Sequence, residues 1–180
     1  FEEACRNVVC TGAKPIGMLD HLQFGNPENP EIFWTFLESL KGLTDFAKYF
    51  EIPCVGGKVS LYNETPSGPI KPTPIIGILG LIDTTPLQTQ KINTGDCLVI
   101  NFQESKNNMN VVLDLIKKDL LKTVHDCSKG GIAVAVSELC MTHEIGCTVS
   151  LDKVPGPKLD VDRILFSESH SRYLLVLEKK

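Results

Sequence analysis

The sequence predicts a two-domain chain of mixed α/β and α+β class. Three observations carry this. Helical and strand periodicities interleave through both halves of the 180 residues. The run from Ile75 to Ile82 is continuously apolar, as in a strand buried on both faces. The stretch from Thr84 to Gly95 is polar and unpatterned, which sets a boundary between residues 1–84 and 85–180. A content of 42 % hydrophobic and 22 % charged residues excludes disorder and rod-like folds.

The elements follow in order. Phe1 to Thr11 reads as a helix closed by Gly12, with Ala4, Cys5, Val8 and Val9 on one side. Ala13 to Phe24 is extended, and Gly25-Asn26-Pro27-Glu28-Asn29-Pro30 is a turn. A helix from Pro30 to about Tyr49 carries Phe33, Phe36, Leu37, Leu40, Leu43, Phe46 and Ala47 at three- and four-residue spacing. Ile52 to Leu61 is a strand broken by Gly56-Gly57, and Thr65 to Pro74 is a proline-rich loop. In the second half, Asp96–Phe102, Cys147–Leu151 and Tyr173–Leu177 read as strands. Asn110–Lys122 and Lys129–His143 read as helices.

Eighteen basic and 22 acidic residues leave a net charge of −4 without like-charge blocks. That argues against non-specific nucleic-acid or membrane-surface binding. The longest apolar run is far short of the roughly 20 residues that span a bilayer. Seven cysteines, an odd number without zinc spacing, read as reduced thiols of a cytoplasmic protein. Phe1 opens a helix without an initiator Met, so the first domain reads as N-terminally truncated.

Four segments hold residues suited to chemistry. In Val55-Gly56-Gly57-Lys58-Val59-Ser60-Leu61-Tyr62-Asn63-Glu64, two glycines admit a ligand close to the backbone, and Lys58 and Ser60 can bind phosphate. The same string reads equally well as a strand with a bulge. Asp20 ends an apolar strand, where a carboxylate meets a ligand or is simply solvated; His21 beside it is a base or a surface residue. His125-Asp126-Cys127-Ser128-Lys129-Gly130-Gly131 precedes a helix, so Asp126 or Ser128 can cap it. Capping leaves the glycine pair unexplained, which favours a ligand-facing turn with Gly130 and Gly131 as phosphate contacts. Phe166-Ser167-Glu168-Ser169-His170-Ser171-Arg172 reads as a polar turn between two strands, in which Glu168 and Arg172 pair.

Taken in order, these strings resemble the phosphoribosylformylglycinamidine synthase family in its small, multi-subunit form. The match runs through Arg6-Asn7-Val8-Val9, Asp20, Phe24-Gly25-Asn26-Pro27-Glu28, Gly57, Ser60-Leu61-Tyr62-Asn63-Glu64 and Pro72-Thr73-Pro74. It continues through His125 to Ala133 and Phe166 to Ser169. Related ATP-using enzymes of the same superfamily generally lack the pair of strings around Asn26 and Asn63.

The resemblance implies an aminoimidazole ribotide synthetase-like N-type domain, a half-barrel sheet with helices, followed by a C-type α+β domain. It implies the second of two such units in one polypeptide, completed by the first. The implied reaction is ATP-dependent amidation of formylglycinamide ribotide in purine biosynthesis, with a glutaminase subunit and a small bridging subunit as partners. Asp20 and Gly57 match nucleotide-binding positions, and Ser60 a substrate-binding serine. The family's catalytic histidine belongs to the other unit, so no catalytic residue is assigned here. Lys58 stands where the family usually has a magnesium-binding asparagine, which puts Mg²⁺ in this half in doubt. Asp126 is the remaining metal candidate. The segment between Phe102 and His125 is shorter than the family's usual insert. Because of the Lys58 change, a non-catalytic nucleotide-binding half that completes the barrel is the alternative reading.

Overall fold

The computed structural model describes residues 1–83, 92, 95–100, 104–154 and 159–178. Its contacts divide the chain into two units. One comprises Pro15–Leu81 with Phe1, the other Glu2–Lys14 with Ile82–Lys180.

The first unit is built around a parallel strand–helix–strand crossover. Strand β1 (Lys14–Gln23) leads through helix α2 (Pro30–Phe50) to strand β2 (Cys54–Ser60). Strand β5 (Thr73–Leu81) completes a three-stranded sheet of order β2-β1-β5. The proline-rich segment folds into a small hairpin, β3 (Glu64–Thr65) against β4 (Gly68–Pro69).

Helix α2 starts where the sequence places it. The Asn29 side chain accepts the Glu31 N–H at 2.9 Å, Pro30 occupies the first turn, and Glu31 faces the positive end of the helix dipole. Glu51, in the left-handed region, ends it by returning its N–H to Ala47 and Lys48 carbonyls. Phe50 stacks on Phe1, and Phe36 meets Phe24 edge-on with centroids 5.2 Å apart.

One expectation fails here. Strand β5 is not buried on both faces: Ile75, Leu79 and Leu81 are each about half exposed within this chain (50, 48 and 58 %). It lies at the edge of a three-stranded sheet.

The second unit is an antiparallel sheet of order β6-β8-β7, comprising β6 (Gly95–Ile100), β7 (Thr123–Asp126) and β8 (Tyr173–Glu178). Tyr173 to Val176, on the central strand, are fully buried. Helix α4 (Gly131–His143) packs Ile132 and Ala135 against Cys127 and Leu174, and Leu139 against Ile92 and Val176. Helix α1 (Glu2–Cys10) contacts helix α3 (Ser105–Lys117) and β7. The helix at the N-terminal end of the chain therefore belongs to the second unit.

Helix α1 buries Glu2, Cys5, Arg6 and Val9, which lie along one stripe at three- and four-residue spacing. Two of the four are charged and compensate each other: Arg6 forms an ion pair with Glu2, and both are at most 3 % exposed. Glu2 also accepts the Ser171 N–H at 3.1 Å, and Arg6 donates to Ser128 Oγ at 3.1 Å.

Several elements differ from expectation. Residues 147–150 form no strand; a short 3₁₀ turn at Leu151–Lys153 follows instead. Helix α3 starts earlier and ends at Lys117, where Asp119 takes a left-handed conformation. Strand β7 and helix α5 (Val161–Phe166) were not expected, so the polar segment before β8 joins a helix to a strand. The end of the expected strand at Phe102 lies outside the described residues.

Burial raises the acid-dissociation ranges of several groups in the second unit. The Cys5 thiol is pushed up to about 12, and Cys10 and Tyr173 also rise, with desolvation as the leading cause in each. In the unfolded chain the thiols ionise near 9.0. Above that pH the unfolded state binds fewer protons than the native state, so stability falls as pH rises from about 9. We expect the midpoint of urea unfolding to drop between pH 8 and pH 10.5 with the slope unchanged; a constant midpoint would contradict the burial of these groups.

Candidate nucleotide and substrate site

The predicted site residues fall into two groups, one in each unit. In the first unit, the β1–β2 register sets Asp20 opposite Gly57, His21 opposite Lys58 and Gln23 opposite Ser60. Asp20 and Gly57, 37 positions apart in the chain, are thereby cross-strand neighbours. A Cβ built on Gly57 would fall 2.8 Å from Asp20 Cγ, and closer still to its Oδ1. Only glycine leaves the Asp20 carboxylate where it lies. Asp20 also lines a groove of about 480 Å³ with Met18, Leu40, Leu43, Lys48 and Glu51. The groove offers an apolar wall and a few polar groups, the usual make-up of a small-molecule site.

The strings around Asn26 and Asn63 are knitted together. The Asn63 side-chain amide donates to the Phe24 carbonyl at 3.0 Å and the Ser60 carbonyl at 2.9 Å. Its backbone N–H also reaches the Phe24 carbonyl, and Tyr62 N–H reaches that of Gly25. Glu64 accepts the Asn26 N–H at 3.0 Å. A Cβ on Gly25 would stand 2.6 Å from Pro69 Cβ and 3.0 Å from Ile32 Cδ1. The two strings brace one another, and Ser60 sits where they join. Asn63 and Glu64 entered the sequence reading only as part of a string. Their signal was an amide and a carboxylate just past a strand end, beside a turn with unpaired backbone groups.

Lys58 is exposed, and its ammonium has no lone pair for a cation while protonated. No three His, Cys, Asp or Glu side chains gather into a metal site among the described residues. Lys58 itself is therefore no Mg²⁺ ligand.

In the second unit, Asp126 accepts the Ser128 hydroxyl and, with the Asn7 amide turned to donate, two further bonds at 2.9 and 3.1 Å. Neither Asp126 nor Ser128 caps helix α4; Gly130 occupies that position. The glycine pair has a local explanation. Gly130 N–H donates to Glu168 Oε1 at 2.9 Å and Gly131 N–H to the Ser128 carbonyl at 3.0 Å. Both have left-handed φ values, +77° and +65°. A Cβ on Gly131 would lie 2.7 Å from the Leu165 and Ser167 carbonyl oxygens. The amides expected to face phosphate are already engaged, and an anion at this turn would have to displace Glu168.

Glu168 therefore holds the start of α4, and Arg172 donates to Ser167 Oγ at 3.0 Å, so the two do not form the expected pair. Burial lowers the Arg172 range. His125 faces Asp126 and Glu138, and Cys127 is buried in the core. Gly131→Ala is expected to destabilise the chain by about 2 kcal/mol, from left-handed strain plus the carbonyl clash. Urea unfolding measures this, and a change under 0.5 kcal/mol, roughly the ordinary surface range, would contradict the packing.

Comparison with known proteins gives the following. The N-terminal domain model of AIR synthase-related proteins matches residues 1–82, and the C-terminal domain model matches residues 82–180. Phosphoribosylformylglycinamidine synthase subunit PurL of Thermococcus kodakarensis is 37 % identical across 99 % of this chain. That of Methanococcus aeolicus is 38 % identical across 98 %. The chain spans 29 % of the length of each. Among solved structures, Thermotoga maritima PurL complexed with ADP has a TM-score of 0.73 at 22 % identity, covering 96 % of this chain and 30 % of that one. The hydrogenase maturation protein HypE in complex with ATP has a TM-score of 0.69 at 16 % identity, covering 98 % and 61 %. The two structures share the fold of this chain.

Proposed function

The chain belongs to the AIR synthase-related family, and on that footing we propose that it is part of a phosphoribosylformylglycinamidine synthase whose β1–β2 face contacts ATP. The observation that supports this most is the Asp20–Gly57 register, in which the carboxylate occupies the space a side chain would fill. Asp20 accepts hydrogen bonds from the nucleotide. Gly57 lets the ligand approach the strand. Ser60 contacts the substrate amide or phosphate.

The whole protein would amidate formylglycinamide ribotide in the cytoplasm, drawing ammonia from a glutaminase subunit linked by a small bridging subunit. ATP supplies the phosphoryl group that turns the substrate amide oxygen into a leaving group. Catalysis of this kind rests on positioning and charge neutralisation. No step is assigned to Mg²⁺ in this half, where Lys58 instead offers a fixed positive charge to phosphate.

The test is Asp20→Asn in the full-length protein. ATP-dependent turnover should fall about 100-fold, as when a charged hydrogen bond to a ligand is lost. Unchanged turnover would overturn the reading.

Lys58 also favours a second reading, a nucleotide held here but never consumed. It predicts nucleotide that survives purification and does not exchange with labelled ATP during turnover. Exchange at the turnover rate would eliminate it.

A further inference from the structure

We infer that Asn63 is a positioning residue that sets the Ser60 hydroxyl for its ligand; this rests on the reading of Ser60 as a substrate contact. The Asn63 amide cannot turn freely. Its Nδ2 faces two carbonyl oxygens, those of Phe24 at 3.0 Å and Ser60 at 2.9 Å, and both can only accept. That settles which end of the amide is nitrogen.

With the amide so fixed, Ser60 Oγ lies 3.1 Å from Nδ2 and 3.2 Å from Oδ1. The hydroxyl can rest with its hydrogen on Oδ1. When a ligand oxygen arrives, the hydrogen swings to it, and the Nδ2 hydrogen aimed at the Ser60 carbonyl is shared with Oγ as a three-centre bond. Asn63 thus serves the hydroxyl in both states, and donation into Oγ makes its hydrogen a better donor. The ligand group that suits this arrangement is an oxygen acceptor, an anionic phosphate or an amide oxygen. A hydrophobic or purely structural position would not need an amide whose two ends both reach one hydroxyl.

The bracing around Asn63 supports this role. Asn63 accepts the Ile70 N–H through its carbonyl and donates its own N–H to Phe24. The residue is half-buried and held from the backbone on two sides, so its side chain is presented at a constant place.

The experiment is a double-mutant cycle in the full-length protein: Ser60→Ala, Asn63→Ala and both together. KM for formylglycinamide ribotide, KM for ATP and the thermal midpoint are read for each. Ser60→Ala should raise KM for the ribotide about tenfold, in the range for a lost hydrogen bond to a charged group. Asn63→Ala should raise it roughly fivefold alone but less than about twofold in the Ser60→Ala background, with KM for ATP little changed. Asn63→Asp gives a second reading, because a carboxylate can hold the hydroxyl hydrogen but cannot donate to Oγ. It should raise the ribotide KM at least as far as alanine does. Equal effects of Asn63→Ala in both backgrounds would mean that Asn63 only supports the fold, and the inference would be wrong. If Ser60→Ala is itself silent, the substrate assignment of Ser60 fails, and the positioning role falls with it.

Discussion

Replacing Gly57 by alanine should weaken nucleotide binding about 100-fold while leaving the chain folded. The added methyl meets the Asp20 carboxylate across the strand pair, 2.8 Å from Cγ. Something must move, and the flexible partner is the Asp20 side chain, because the strand backbones are locked by the β1–β2 ladder. A rotated carboxylate loses its bond to the ligand, and the methyl blocks the approach as well. Losses of about 2.7 kcal/mol in binding correspond to that factor. Stability should change little, since Gly57 is exposed and strand propensity favours alanine over glycine. Calorimetry with ATP on the full-length variant, beside its thermal midpoint, separates the two effects. Wild-type affinity would mean that the ligand does not approach this strand pair.

Glu2→Ala should cost about 3–5 kcal/mol of stability, the typical range for breaking a buried ion pair from one side. Arg6 would be left charged at 2 % exposure with Ser128 as its remaining hydrogen-bond acceptor, and the buried Ser171 N–H would lose its acceptor. Replacing both partners by apolar residues, Glu2→Met with Arg6→Leu, should recover much of the loss, because no uncompensated charge remains. Urea unfolding of the three variants reads the difference. A single variant no worse than the double one would mean that Arg6 finds solvent in the native state.

Much of the architecture was legible in the sequence for identifiable reasons. Helix α2 announces itself through Asn29, Pro30 and an unbroken 3.6-residue stripe. The register that joins Asp20 to Gly57 is not a local property, yet the strand–helix–strand order makes their strands parallel neighbours, and the family strings supply the residues. What stayed hidden had weak local signals. Strand β7 is four residues long, with His125 and Asp126 among them, so no alternation marks it. The first turn of α3 buries Asn108, whose amide donates to the Ser171 carbonyl at 2.8 Å, and a polar residue at a core position is invisible to a hydrophobicity count. Gly130 and Gly131 carry a related ambiguity. Glycines that admit a ligand and glycines that admit a neighbouring carbonyl look the same until the carbonyls of Leu165 and Ser167 are in place.

The division of the chain has a consequence for dissecting the gene. The polypeptide crosses between the units after Phe1, near Lys14–Pro15 and again at Leu81–Ile82, so the second unit is discontinuous in sequence. A cut at residue 82, where the family models meet, would strip helix α1 from the core that it covers and strand the partners of Cys5, Arg6 and Val9. A 14-residue peptide carrying that helix should then complement the 82–180 fragment in trans, restoring cooperative unfolding that neither piece has by itself.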